Sequence, residues 1–194
     1  MIAIIDYKMG NLRSVENALR RLEAEFTVTA DAAAIASADR VILPGVGNAA
    51  RAMDNLRAAG LPDVIRSLRR PVLGICVGLQ VMCRDSEEGD TPCLGIFDSH
   101  VRRFSTADGL KVPHVGWNQI DNLESKLLRS LKGGSYVYYV HSYRADLCPD
   151  TIATTNYGGL FSAALKYENF YGTQFHPEKS GDVGEQILRN FLNL

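Results

Sequence analysis

Val72-Leu73-Gly74-Ile75-Cys76-Val77-Gly78-Leu79-Gln80 is the stretch that decides the fold. Val72 to Ile75 reads as a buried strand, and the segment from Val77 to about Cys83 reads as a helix. A strand that enters a helix through Gly-x-Cys-x-Gly has the form of a nucleophile elbow, with a thiol where a hydroxyl is more usual. Gly74 and Gly78 leave room for the sharp turn and for close packing. Cys76 then sits at a helix N-terminus, where a thiol, with a free pKa of about 8.5, ionises more easily. The next backbone N–H, on Val77, faces the oxygen of a reacting carbonyl.

Outward from this turn, the first ninety or so residues alternate short β-rich runs with amphipathic helices. Residues 2–5, Phe26-Thr27-Val28 and Val41-Ile42-Leu43 read as strands, the last ended by Pro44-Gly45. Asn11 caps a helix with Leu12, Val15, Leu19 and Leu22 on one face. Ala49, Met53 and Leu56 mark a second helix, and Leu61, Val64, Ile65 and Leu68 a third. The alternation predicts an α/β fold with a mostly parallel central sheet and helices on both faces. Ligands bind beyond the carboxyl ends of such strands, where Pro44-Gly45-Val46-Gly47 and Cys76 both fall.

After about residue 90 the runs are short and β-type: Val101 to Phe104, Lys111-Val112, Tyr136 to Val140, Ile152 to Thr154 and Phe170 to Phe175. They predict a mixed or antiparallel extension of the sheet. Val183, Ile187, Leu188 and Phe191 form the stripe of a last helix. With no repeat or long linker, residues 1–194 read as one domain.

His176-Pro177-Glu178 supplies what a thiol nucleophile needs. An imidazole accepts the thiol proton from one ring nitrogen while a carboxylate holds the other. In an extended segment, residues 176 and 178 point to the same side, and Pro177 stiffens the link. The glycines around Val46 let that peptide turn a second N–H toward an oxyanion. His100, His114 and His141 lack a carboxylate two residues further along the chain and read as structural or local. Together, Cys76, His176 and Glu178 predict a Cys-His-Glu acyl-transfer enzyme.

Composition excludes several other classes. Lys+Arg is 21 and Asp+Glu is 22, so nothing predicts a nucleic-acid partner or an anionic membrane surface. Arg20-Arg21 and Arg69-Arg70 read as solvated helix ends. No run approaches the ~20 apolar residues of a membrane span. The opening Met1-Ile2-Ala3-Ile4-Ile5 meets Asp6 at once and does not read as a signal peptide. The cysteines Cys76, Cys83, Cys93 and Cys148 contain no Cys-x-x-Cys and no zinc-ligand spacing, so neither a metal nor a disulfide framework is expected. A cytoplasmic protein with a usable thiol fits these features.

The elbow, the His-Pro-Glu segment and the Pro44-Gly45 turn resemble the class I (triad) glutamine amidotransferases. Asp6-Tyr7-Lys8-Met9-Gly10-Asn11-Leu12, Pro44-Gly45-Val46-Gly47, Lys111-Val112-Pro113-His114-Val115-Gly116-Trp117-Asn118 and Tyr139-Val140-His141-Ser142-Tyr143 narrow the likeness. They are similar to the branch that serves as glutaminase subunits of imidazole glycerol phosphate synthase. The resemblance runs the length of the chain and departs at Thr91-Pro92-Cys93-Leu94-Gly95, a turn more glycine-rich in the family.

The resemblance implies that Cys76 attacks the side-chain amide of glutamine and forms a thioester. His176 moves the proton, and Glu178 orients His176. Gly45, Val46, Gly47 and Val77 border the oxyanion hole. Gln80, His141, Ser142 and Tyr143 hold the glutamine backbone. Asn11, Trp117 and Asn118 lie near a subunit interface. No cofactor is implied. The implied partner is a (β/α)₈-barrel cyclase, which receives the ammonia in histidine biosynthesis, so hydrolase and lyase chemistry meet in one heterodimer. Two alternatives stay open: a glutaminase feeding another ammonia-channelling synthase, and an inactive binding subunit on the same fold.

Overall fold

A computed structural model of the protein describes residues 1–107 and 109–194. In chain order its elements are β1 (Ile2–Ile5), α1 (Leu12–Arg21), β2 (Phe26–Thr29), α2 (Ala32–Ser37), β3 (Arg40–Gly45), α3 (Ala49–Ala58), α4 (Pro62–Ser67), β4 (Val72–Cys76) and α5 (Val77–Met82). Then follow β5 (Asp85–Ser86), β6 (Thr91–Pro92), β7 (His100–Arg103), β8 (His114–Ile120), β9 (Ser135–His141), β10 (Tyr143–Ala145), β11 (Thr151–Asn156), β12 (Leu160–Tyr167), β13 (Phe170–Thr173) and α6 (Gly181–Leu192). Two 3₁₀ turns, Lys126–Leu128 and Pro177–Lys179, complete the regular segments.

The sheet runs β2-β1-β3-β4-β13-β12-β10-β7-β5-β6, with β11 on β12. Its β2-β1-β3-β4-β13 half is parallel, and β12 begins the antiparallel extension. Strand β4 lies between β3 and β13 and is buried along its whole length, as its apolar run requires. Strands β8 and β9 form a separate hairpin sheet, tied back to β11 by an Asp121–Thr154 bridge. The core is contiguous from Ile4 and Ile42 through Leu73 to Phe161 and Phe191.

The structure corrects several readings at their edges. Strand β3 continues through Pro44-Gly45 instead of ending there, pairing Pro44 with Ile75 and Gly45 with Cys76. The Val41 N–H points toward β4, so by alternation position 44 faces β1, whose pairing stops at Ile42. A proline there leaves no ladder bond unmade. Lys111-Val112 forms no strand; β8 begins at His114, after Pro113. Strand β13 ends at Thr173, before Gln174-Phe175.

A very close backbone contact lies beneath the elbow. A Cβ on Gly78 would overlap the Leu43 carbonyl, and one on Gly45 would stand 2.6 Å from the Gly78 nitrogen. Replacing Gly78 by alanine must push α5 off β3. Gly78→Ala is expected to cost about 3 kcal/mol, the upper end for overpacking a core. The urea unfolding midpoint reads this loss, and a midpoint within experimental scatter of the parent would refute the contact.

Candidate active site

The carboxyl ends of β3, β4 and β13 converge on Cys76. Cys76 closes β4 and caps α5 with φ 54° and ψ −108°, a conformation sparsely populated by non-glycine residues. The backbone therefore reverses within one residue and holds the side chain at the strand edge. Val77 opens α5, where an N–H has no intrahelical acceptor. The thiol lies 4.0 Å from the Val140 carbonyl oxygen, and the Gln174 side-chain amide donates to the sulfur at 3.7 Å. No sequence signal singles out Gln174.

His176 and Glu178 meet by a different route from the one expected. His176 is extended, but Pro177–Lys179 is a 3₁₀ turn, so the pair is not two positions on a strand. The His176 Nδ1 atom lies 2.8 Å from Glu178 Oε1, with both side chains at most 2 % exposed. The segment is stitched to β9: the His176 N–H donates to the Tyr138 carbonyl, and Ser180 Oγ accepts from the Tyr138 N–H while donating to the His176 carbonyl. The other ring nitrogen, Nε2, is buried and forms no hydrogen bond within the protein. Burial pulls the imidazole down. The Cys76 sulfur, together with the Glu178 carboxylate, outweighs burial and holds His176 up at about 10.

Cys76 and His176 open into a cavity of about 300 Å³, whose wall also contains Val46, Gly47, Val77 and Gln80. Gln80 is buried and donates from Nε2 to the Tyr143 carbonyl and to Gln174 Oε1, both at 3.0 Å. Ser142 and Tyr143 line the same space. Glu88 and Pro113 do too, and were not foreseen. Glu88 sits in a run of acidic residues, Glu87-Glu88-Gly89-Asp90, in which nothing local distinguishes it. Its carboxylate accepts from the Ala49 N–H at the start of α3, at 2.7 Å.

His141 borders the cavity with both ring nitrogens engaged. The Tyr143 carbonyl can only accept, so His141 Nδ1–H donates to it at 2.7 Å. His141 Nε2 must then accept from His114 Nδ1–H at 2.9 Å, and His114 Nε2 from Asn118 Nδ2 at 3.3 Å. The His114 ring stacks between Tyr139 and Tyr157. Burial pushes His114 down to about 4 and His141 to about 3.

The three residues expected at an interface separate. Trp117 is 55 % exposed on the outer face of the hairpin, packed edge-on against Tyr138. Asn118 points the other way, into the bond with His114 and a second to the Asn156 carbonyl. Asn11 caps α1 at an exposed position and borders a small cleft beside Glu178. Cys83 is fully buried, whereas Cys93 and Cys148 are half-buried; all four thiols are free. Among the described residues, no group of three or more His, Cys, Asp or Glu is placed to hold a metal, and no helix is long and apolar enough to cross a membrane.

A thiol at an elbow with a carboxylate-held imidazole opposite defines a class of protein, and the sequence comparison agrees: residues 3–194 match the family profile described as glutamine amidotransferase class-I. The chain belongs to that family. It is 52 % identical over 194 residues, all of this chain and 99 % of the relative, to a Bacteroides thetaiotaomicron protein named imidazole glycerol phosphate synthase subunit HisH. A protein of the same name from Xanthomonas euvesicatoria pv. vesicatoria is 47 % identical over all of this chain and 97 % of its own. Among solved structures, a putative GMP synthase subunit from Thermoplasma acidophilum superposes with a TM-score of 0.76 at 22 % identity, covering 99 % of this chain and 92 % of that one. PurLQS from Thermotoga maritima does so at 0.71 and 18 %, covering 99 % and 97 %. These last two likenesses concern the fold.

The histidine pair makes stability fall on the acid side. Both folded-state values lie below the roughly 6.5 of an unfolded histidine, so acid protonates the unfolded chain first. Their stabilising contribution is intact above about pH 6.5 and declines toward pH 4. Urea midpoints measured between those limits are expected to drop with pH, and to drop less steeply in His114→Gln; equal slopes would contradict the pairing.

Proposed function

We propose that this chain is the glutaminase subunit of an imidazole glycerol phosphate synthase, acting as one glutamine amidotransferase domain over residues 1–194. The observation that carries the chemistry is that Cys76 and a Glu178-held His176, whose buried Nε2 has no hydrogen-bond partner, border one cavity. The full-length relatives supply the pathway, histidine biosynthesis.

Glu178 accepts the Nδ1–H of His176, which leaves Nε2 for the thiol proton. The thiolate adds to the side-chain amide carbon of glutamine. The resulting oxyanion meets the Val77 N–H and the Gly45-Val46-Gly47 segment. The imidazolium, stabilised by the Glu178 carboxylate, returns its proton to the departing ammonia. Water then adds to the thioester and releases glutamate and the free thiol. Gln80, Ser142 and Tyr143 border the space for the amino-acid end of the substrate, His141 adds apolar wall, and Glu88 offers a carboxylate for its α-ammonium group. No step calls for a cofactor.

The partner in this reading is a (β/α)₈-barrel cyclase. The outer face of the β8–β9 hairpin, with Val115, Trp117, Tyr136 and Val140 exposed, is an apolar surface of the kind that docking covers. Asn11 belongs to the same proposed interface, while Asn118 supports it from behind. The lyase reaction falls to the barrel and not to this chain. A biosynthetic role and a reduced nucleophile suit the cytoplasm.

Ammonia release from glutamine, measured with and without the barrel cyclase, tests the assignment. Stimulation is expected only with the cyclase and its nucleotide ligand. Formation of no complex would favour another synthase, and a Cys76 inert to glutamine-like electrophiles within a complex would favour an inactive protein. Cys76→Ala is expected to abolish stimulated release, and His176→Asn to lower kcat about 10²- to 10⁴-fold. Full activity in Cys76→Ala ends the proposal.

Glu88→Gln separates binding from chemistry. It is expected to raise KM for glutamine about tenfold or more, the loss of one charge-assisted hydrogen bond, with kcat little changed. A fall confined to kcat would remove Glu88 from the binding role.

A further inference from the structure

The buried polar groups around Cys76 form a chain whose direction is set at one end. The Tyr143 carbonyl accepts and cannot donate, so Gln80 must turn Nε2 toward it. The second hydrogen on that nitrogen meets Gln174, which must therefore present Oε1. Gln174 is 0 % exposed and has no freedom to reverse its amide without placing two donors against each other. Its own Nε2 is left facing the sulfur of Cys76, at 3.7 Å. Register explains the placement: Thr173 pairs with Ile75, so the residue after β13 comes to lie beside the residue that ends β4.

We propose that Gln174 is a positioning residue for the nucleophile, presenting a fixed N–H donor that favours the thiolate of Cys76 over the thiol. A thiolate accepts a hydrogen bond strongly and a neutral thiol only weakly, so a donor locked at this place stabilises the charged form selectively. The sulfur is thereby approached from one side by the Gln174 amide while His176 supplies the imidazole that exchanges its proton. The backbone carbonyl of Tyr143 is also the acceptor for His141 Nδ1–H, so the segment that borders the substrate space and the donor on the nucleophile share one anchor.

This inference rests on Cys76 being the nucleophile, but its test needs neither glutamine nor the barrel. The rate of Cys76 alkylation by iodoacetamide is followed against pH by mass spectrometry of the Cys76 peptide, which separates it from Cys93 and Cys148. Gln174→Leu is expected to shift the profile upward by about one pH unit, a roughly tenfold slower reaction at pH 7, with the alkaline plateau unchanged. A Gln174→Leu protein that unfolds cooperatively like the parent but has a superimposable profile overturns the proposal. A role in packing alone would lower stability and leave the profile in place.

A second measurement avoids any change at Gln174 and holds even if Gln174→Leu does not fold. In ¹⁵N-labelled unsubstituted protein, the Gln174 side-chain amide resonance is expected to move with pH in step with Cys76 alkylation, and to stay still in Cys76→Ala. A resonance that is flat in the unsubstituted protein, or that titrates equally in Cys76→Ala, refutes the contact. If ammonia release with the barrel fails while both results hold, the glutaminase assignment falls and the Gln174–Cys76 interaction stands.

Discussion

Everything in this fold depends on three backbones being allowed to touch at Gly78. The peptide there packs on the Leu43 carbonyl of β3, and Gly45 in turn lies against the nitrogen of Gly78. That approach lets α5 leave β4 in a single residue and forces Cys76 to φ 54°. Such a residue typically costs on the order of 1–3 kcal/mol, and it persists only where the surroundings leave it no alternative. Here the surroundings are β3 and β13, in parallel register on either side of β4, with apolar side chains buried along all of it. The same register carries Gln174 and His176 to the edge of the elbow. Strain, the Cys76 thiol and the His176 imidazole thus come from one packing decision.

The site also shows how one residue type is given opposite electrical characters by its neighbours. His176 and His141 are both buried at the same cavity. His176 faces a carboxylate and a sulfur, each of which favours the charged ring. His141 faces a carbonyl on one side and His114 on the other; a proton on its Nε2 would set two N–H groups against each other. Burial then decides in favour of the neutral ring. A proton that enters the site has one residence, the imidazole opposite Cys76, and the adjacent histidines do not compete for it.

Most of the parallel half was legible because its signals are local. Apolar runs of three to five residues, separated by amphipathic helices, the first with Asn11 at its cap, need no tertiary information to be read. The features that escaped are those decided by partners distant in sequence. Strand β12 is rich in Ala and Ser, poor strand formers that are nevertheless buried between β13 and β11. Helix α2, Ala-Ala-Ala-Ile-Ala-Ser, carries one large apolar residue and so shows no period. Pro44 looked like a terminator because its neighbour on the β1 side cannot be seen from sequence. At the site, Cys76, His176 and Glu178 were visible as spaced motifs, whereas Glu88 and Gln174 owe their roles to where loops and strand ends arrive, which no spacing rule records.

The geometry also limits where the segment proposed to face the oxyanion can move. Pro44 is held by the Tyr7 hydroxyl, which donates to its carbonyl at 2.8 Å from a buried ring, and Gly45 is in register with Cys76. Asn48 is fixed on the other side as the cap of α3, accepting from the Arg51 N–H. Between these anchors lie Val46 and Gly47, and Gly47 already has φ 89°, a region open to glycine at little cost. Any reorientation of the Val46–Gly47 peptide, which carries the Gly47 N–H, is therefore a rotation of one peptide between two fixed points. It requires no change in the sheet and no movement of Cys76, so the donor proposed for the oxyanion can be turned while the proposed nucleophile, its proposed base and the Gln174 contact stay in place.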